Sequence, residues 1–153
     1  YKIGLKIHKY WMPVIILLGW IGNTLSLTVF SRPKNRSISC CLYMCGLAVT
    51  DSFVISVSTY YYLRTTYAEI MKSAEFSKFH PTTLECSSLA WLQNFGSLSS
   101  VLIIMSMTVD RFIGVRFPLL ASRLCTARRA KMFLAILPFC TGAYTFPYFY
   151  YSR

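Results

Sequence analysis

Read along its length, the sequence alternates between long stretches without charge and short basic ones. No Lys, Arg, Asp or Glu occurs from Tyr10 to Ser31, from Cys86 to Val109 or from Met132 to Ser152, and the stretch from Ser37 to Leu63 is interrupted only by Asp51. A helix rises about 1.5 Å per residue, so about 20 residues cross a hydrocarbon layer about 30 Å thick, and each of the four runs is at least that long. Runs of this length are helical, because a chain in lipid must satisfy its backbone internally and barrel strands are only about half as long. The pattern predicts an all-α membrane protein with four transmembrane helices, spanning about 10–31, 37–63, 83–114 and 127–151 of a single transmembrane domain. A cleaved signal peptide would account for the first run alone. Asn23 inside that run, with Arg32 and Lys34 behind it, suits a span followed by a stop signal.

Composition agrees: 55% of residues are hydrophobic and 14% charged, and the mean hydropathy is +0.47. The net charge of +11 raises the question of nucleic acid. The basic residues, however, lie between apolar runs, where they meet lipid headgroups and cytosol, and no soluble basic segment interleaved with aromatics exists. Membrane lipids are the expected partner of this charge, and no nucleic acid is expected.

Orientation follows from the loops. Residues 32–36 and 115–131 fall on one side and carry 8 Lys and Arg with no acid; the opposite side carries 7 together with Glu69, Glu75 and Glu85. The densest cluster, Arg116, Arg123, Arg128, Arg129 and Lys131, puts the first side in the cytosol and the N-terminus outside. Asn35-Arg36-Ser37 matches a glycosylation sequon but is then cytosolic and unmodified.

Polar residues inside the runs mark candidate chemistry. Asp51 lies about halfway along the second run; a carboxylate at the bilayer centre costs about 2.5–3.5 kcal/mol, so such residues face the bundle interior and tend to mark function rather than simple hydrogen bonding. Asn23, at similar depth in the first run, is a natural partner for it, or else a plain helix–helix contact. In the third run, Gln93, Ser97, Ser100, Ile104, Met107 and Arg111 recur at spacings of three and four, which places them on one face. That stripe is polar, then apolar, then charged, so it faces protein or water, and Ser100 is at the depth of Asp51. Thr82 and Glu85, behind Pro81, have capping-box spacing and predict the start of the third helix.

Enzymatic chemistry finds no support: His8 and His80 lie in different segments with no acid or cysteine at metal spacing, and no nucleophile and base converge at one depth. A transporter or channel would add ionisable residues in other runs, whereas Asp51 is alone. A four-span scaffold would be expected to carry a stapled outer loop, and residues 64–85 contain no cysteine.

Asn23 after Gly22, Leu47-Ala48-Val49-Thr50-Asp51, Cys86, and Asp110-Arg111-Phe112 with Pro118 seven residues past Arg111 occur in this order, one set per successive run. Together they resemble the rhodopsin-like (class A) G-protein-coupled receptors. The resemblance covers essentially the whole chain and four of that family's seven helices, so the sequence is expected to be an incomplete, N-terminal four-helix portion that does not signal alone. It implies a plasma-membrane receptor that transduces an extracellular ligand to a heterotrimeric G protein. Asp110, Arg111 and Phe112 would form the activation latch, the acid holding the arginine at rest; Phe112 stands where the family usually has Tyr. Asp51 and Ser100, with Asn23 nearby, would form a sodium-binding polar core completed by a later helix, and no other cofactor is implied. Pro118 and Leu119 would contact the G protein, while Arg116 and Arg123 fit that contact or anionic lipid. Cys86 would be the extracellular disulfide cysteine, its partner absent from this chain. Cys40 and Cys41 are either palmitoylated or small buried residues.

The ligand can be narrowed by the same resemblance. Gln93, about five helical turns before Arg111, stands where amine receptors carry an acid, which argues against a monoamine. Gln93, Ser97, Tyr61 and Trp91 are the pocket candidates, with Tyr60, Tyr62 and Arg64 at the mouth suiting a larger amphipathic ligand. The stretch Leu120 to Ala130, then Tyr144-Thr145-Phe146-Pro147, and Pro138 where the wider family has Trp, resemble FMRFamide-type neuropeptide receptors. A peptide ligand is the expectation.

Overall fold

The computed structural model describes residues 2–32, 38–70 and 83–151, with a few side chains among them excepted. Among these residues the chain is helical: α1 (Lys2–Phe30), α2 (Ser39–Ile70), α3 (Thr83–Arg116), the short α4 (Pro118–Leu124) and α5 (Ala127–Tyr151). Tyr10–Phe30, Ser39–Arg64 and Leu84–Arg116 are each long and apolar enough to cross a membrane. At 25 residues, α5 is about 37 Å long. Helix α2 runs past the expected boundary to Ile70, and part of the loop expected at 115–131 folds as α4, where Pro118 occupies the first turn that tolerates proline. The glycosylation sequon at Asn35 and the residues Pro81 and Thr82 of the expected cap lie outside the described residues.

Helix α2 is the hub: it packs on α1, α3 and α5, and α3 packs in turn on α5. Helices α2 and α3 run antiparallel in a register fixed by four polar contacts. Ser39 meets Asp110, Thr50 and Asp51 meet Ser100, Ser58 meets Gln93, and Arg64 meets Glu85. Each advance along α2 is matched by a nearly equal retreat along α3, as two straight helices in lengthwise contact require.

The packing is that of a membrane bundle. Large apolar side chains are turned outward, Leu17 and Leu18 of α1 and Phe139 of α5 among them. The buried set is small and often polar: Ala48, Ser87, Ser99, Ala130, Thr141 and Thr145 accompany Tyr43, Ile103 and Leu137. In lipid, helices gain nothing hydrophobic by meeting one another, so association rests on close van der Waals packing through small residues and on interhelical hydrogen bonds. Gly96 of α3 lies against Val54, Gly46 of α2 against Leu134, and Gly19 of α1 against Ile55. Ser99 Oγ donates to Thr141 Oγ1 at 3.1 Å and pins α3 to α5. Pro138 and Pro147 sit inside α5, each removing one helical hydrogen bond, a loss that membrane helices accommodate.

Candidate functional site

Asp51 and Ser100 face each other across the α2–α3 contact. Ser100 Oγ donates to Asp51 Oδ1 at 2.6 Å, and Thr50 Oγ1 lies 3.1 Å from the same serine oxygen. Thr50 in turn hydrogen-bonds back to the Leu47 carbonyl at 2.9 Å. The carboxylate is half-buried and meets hydroxyls instead of hydrocarbon, the arrangement its desolvation cost demands. Ser100 Oγ thus has two oxygens of α2, one from Asp51 and one from Thr50, within hydrogen-bond reach. Asn23, half-buried on α1, makes no hydrogen bond to Asp51 in this structure.

Toward the C-terminal end of α3, Asp110 and Arg111 do not pair with each other as expected. Successive residues on a helix point about 100° apart and do not face one another. Each finds its own partner on the first turn of α2: Ser39 Oγ donates to Asp110 Oδ2 at 2.8 Å, and Arg111 donates from both Nε and Nη2 to Cys40 Sγ, at 3.1 and 2.8 Å. Phe112 points outward. The Cys125 thiol at the end of α4 donates to the Asp110 carbonyl at 3.4 Å. Partial burial pushes the Cys125 thiol up from its ordinary pKa, and the hydrogen bond and charge of Asp110 push it further in the same direction. Beyond this end, Pro118 opens α4 and Leu119 projects outward at 90% exposure, beside Val115 at 87%. The Arg116 guanidinium lies over the Phe117 ring, 5.9 Å from its centre.

At the other end of the bundle a cavity of about 410 Å³ is lined by Met12, Ser58, Tyr61, Cys86, Leu89 and Gln93, among others. Two of the four expected pocket residues, Gln93 and Tyr61, meet there. Ser58 donates to Gln93 Oε1 at 3.3 Å and orients the amide. Trp91 does not line this cavity. Two residues from Gln93, it points to another side of α3 and stacks on Phe95 at 5.9 Å, its indole Nε1 buried without a hydrogen-bond partner. Ser97 is exposed on the face of α3 that it shares with Ile104. The stripe therefore divides, with Gln93, Ser100 and Arg111 turning to α2. At the rim Arg64 pairs with Glu85 at 2.7 Å and with Tyr60 Oη at 2.9 Å. Cys86 is exposed beside the cavity, and no disulfide joins any of the six cysteines.

The model of the family "7 transmembrane receptor (rhodopsin family)" matches residues 22–153. The chain belongs to this family. It is 26% identical over 140 residues to an FMRFamide peptide receptor of Caenorhabditis elegans, covering 92% of this chain and 32% of that one. It is 28% identical to the prostacyclin receptor of Bos taurus, over 88% of this chain and 35% of that one. It is 25% identical to the thyrotropin-releasing hormone receptor of Mus musculus, over 90% and 33%. The chain thus spans about a third of the length of these relatives. The family is one of multi-pass membrane receptors, not of enzymes.

Several contacts of this rhodopsin-family chain escape sequence reading. Ser39 and Cys40 as partners of the doublet, Ser58 as partner of Gln93, and the Ser99–Thr141 bridge all depend on helix rotation. The available signal was the antiparallel register: once Asp51 is set opposite Ser100, the start of α2 falls opposite residue 110, and Ser58 opposite Gln93.

Proposed function

We propose that this protein is a plasma-membrane receptor that binds an extracellular peptide and passes the signal to a heterotrimeric G protein. The observation that carries the reading is the polar path along α2 and α3, from the Gln93 cavity through Asp51–Ser100 to Asp110–Arg111, within a chain of the rhodopsin family. In this reading α1, α2, α3 and α5 are four spans, the N-terminus is extracellular, and the Asp110 end lies in the cytosol beside the basic residues of α4 and α5 and the anionic lipid that they attract. Leu119 and Pro118, outward at that end, belong to the G-protein contact. A neutral Gln93 in the cavity, in place of an acid, suits a ligand bound by amide hydrogen bonds more than one bound by an ammonium. FMRFamide and thyrotropin-releasing hormone, named by two relatives, are peptides. A sodium ion held by Asp51 and Ser100 would offset the buried charge and couple the polar core to the state of the bundle.

The test is guanine-nucleotide exchange on a panel of heterotrimeric G proteins, with the full-length protein in membranes and three probes: FMRFamide, thyrotropin-releasing hormone and prostacyclin. Exchange driven by a peptide supports the reading; exchange driven by prostacyclin alone overturns its peptide part. Exchange that is absent with every probe, and equal to that of Arg111→Ala without one, overturns the G-protein part.

A further inference from the structure

The rim of the Gln93 cavity already holds a guanidinium, that of Arg64. We infer that Glu85 and Tyr60 form a guanidinium site in which Arg64 is a built-in stand-in, and that an arginine side chain of the ligand displaces it. The inference rests on the peptide reading above and names the ligand side chain that the rim selects.

The site is built where two helix ends meet. Tyr60 and Arg64 are one turn apart on α2, and Glu85 lies in the first turn of α3. Arg64 Nη1 donates to Glu85 Oε1 at 2.7 Å and to Tyr60 Oη at 2.9 Å. A carboxylate and a hydroxyl thus converge on one guanidinium nitrogen, and both are acceptors that any arginine can use. Their neighbours in sequence, Tyr61 and Cys86, line the cavity, so a ligand that fills it passes the site. The rings of Tyr60 and Tyr61 are exposed, and a planar guanidinium stacks on such a face where a lysine ammonium cannot lie flat.

Exposure and helix polarity decide which partner stays. The Glu85 side chain is 41% exposed and that of Arg64 18%, so a ligand arriving from water meets the acid first. The start of α3, whose leading N–H groups lack helical partners, favours an acid there whether or not Arg64 is paired with it. Arg64 is the partner on a long, flexible stem, and it lies near the end of α2. A partly exposed ion pair of this kind is worth at most about fivefold against water, so an incoming guanidinium with further contacts in the cavity outcompetes it.

Two binding measurements on the full-length protein in membranes test this. The first compares FMRFamide, which carries one arginine, with its analogue in which citrulline, a neutral isostere, replaces that arginine. Glu85→Gln should weaken FMRFamide about tenfold and leave the citrulline analogue within about twofold. Arg64→Ala should strengthen FMRFamide about three- to fivefold, because it removes the competitor. A merely structural ion pair predicts the opposite for Arg64→Ala, so weaker binding of FMRFamide to both variants overturns the inference. FMRFamide binding that neither substitution changes also overturns it and leaves the peptide reading standing. The second measurement needs no peptide: argininamide at millimolar concentration should raise the thermal stability of Arg64→Ala more than citrullinamide does, and Glu85→Gln should abolish the difference. That preference, with no binding of FMRFamide, supports the site and counts against the peptide reading alone. Absence of both the preference and FMRFamide binding overturns the site.

Discussion

Gly96 and Gly114 offer a controlled comparison of what close helix contact contributes to this bundle, because both lie in α3 and only one touches another helix. A Cβ added at Gly96 would fall 2.5 Å from Val54 Cγ2 and 3.3 Å from Phe53 Cδ1; one added at Gly114 would meet nothing within 4 Å. Carbon atoms rest about 3.5–4.0 Å apart, so Gly96→Ala must open about 1 Å. Val54 is β-branched and held to essentially one rotamer in a helix, so it cannot swing aside, and the relief must come from moving α3 off α2. Overpacking of this kind costs about 1–3 kcal/mol. Against it stands the helix preference for Ala over Gly, about 0.8–1 kcal/mol. The net expectation for Gly96→Ala is a loss of up to about 2 kcal/mol. For Gly114→Ala it is a gain approaching about 1 kcal/mol. The difference between the two variants isolates the contact, because propensity cancels.

Unfolding by SDS titration in mixed micelles, followed by circular dichroism, measures that difference. Val54→Ala combined with Gly96→Ala removes the clashing methyl and should recover most of the loss. Gly19 and Gly46 supply intermediate cases, since the atoms they would meet are the mobile ends of Ile55 and Leu134. Equal stability of Gly96→Ala and Gly114→Ala would refute the claim that α2 and α3 are held by direct backbone approach at this point.

Three further outcomes are expected. A double-mutant cycle with Ser99→Ala and Thr141→Ala should return a coupling of about 0.6 kcal/mol, the usual size of an interhelical hydrogen bond in lipid; a coupling of zero would show that the 3.1 Å contact adds nothing. Asp51→Asn preserves an acceptor for Ser100 but removes the charge, so replacing sodium by potassium should alter ligand-stimulated nucleotide exchange in the unaltered receptor and leave this variant unchanged. Cys125, whose pKa is raised by burial and by Asp110, stays protonated to higher pH than a free cysteine; its alkylation at about pH 8.5 should lag that of a model thiol and rise as pH increases further, and equal rates would contradict the contact with Asp110.

Much of this arrangement is legible in the residues themselves, for definite reasons. The apolar helices declare themselves because a charge-free run long enough to cross a bilayer has few other physical explanations. A lone carboxylate must find a polar partner at its own level, which makes Ser100 and Asn23 the candidates for Asp51; only the serine bonds it. Rotation about the helix axis is less legible. Gln93 and Trp91 are two residues apart, share a depth and are both plausible ligand contacts, yet only Gln93 reaches the cavity. The same ambiguity conceals the partners of Asp110 and Arg111: adjacency in sequence suggests a pair, while helix geometry points the two in different directions. Serines mislead in a similar way, for Ser97, Ser99 and Ser100 look interchangeable along the chain. The structure gives Ser99 to α5, Ser100 to Asp51 and Ser97 to the surface.

The spacing of the polar contacts between α2 and α3 bears on how a signal would travel. If these helices were joined only by apolar side chains, small axial slides would cost little, because one methyl contact readily replaces another. Directional contacts at the Arg64, Gln93, Asp51 and Asp110 levels limit that freedom: a slide of about 2.5 Å would stretch a 2.6 Å hydrogen bond lying across the two helices to about 3.6 Å, beyond useful length. If a ligand pressed on Gln93, as proposed above, the strain would not be absorbed locally; it would be relieved by breaking contacts elsewhere along the pair, those that cost least to break yielding first. The Asp51 pairing is a short bond between a hydroxyl and a carboxylate, whereas the Arg111 contact ends on a sulfur, a poor acceptor for a guanidinium. In that reading, physical cost would direct a disturbance at one end of α3 toward release at the other, with the middle of the helix pair intact.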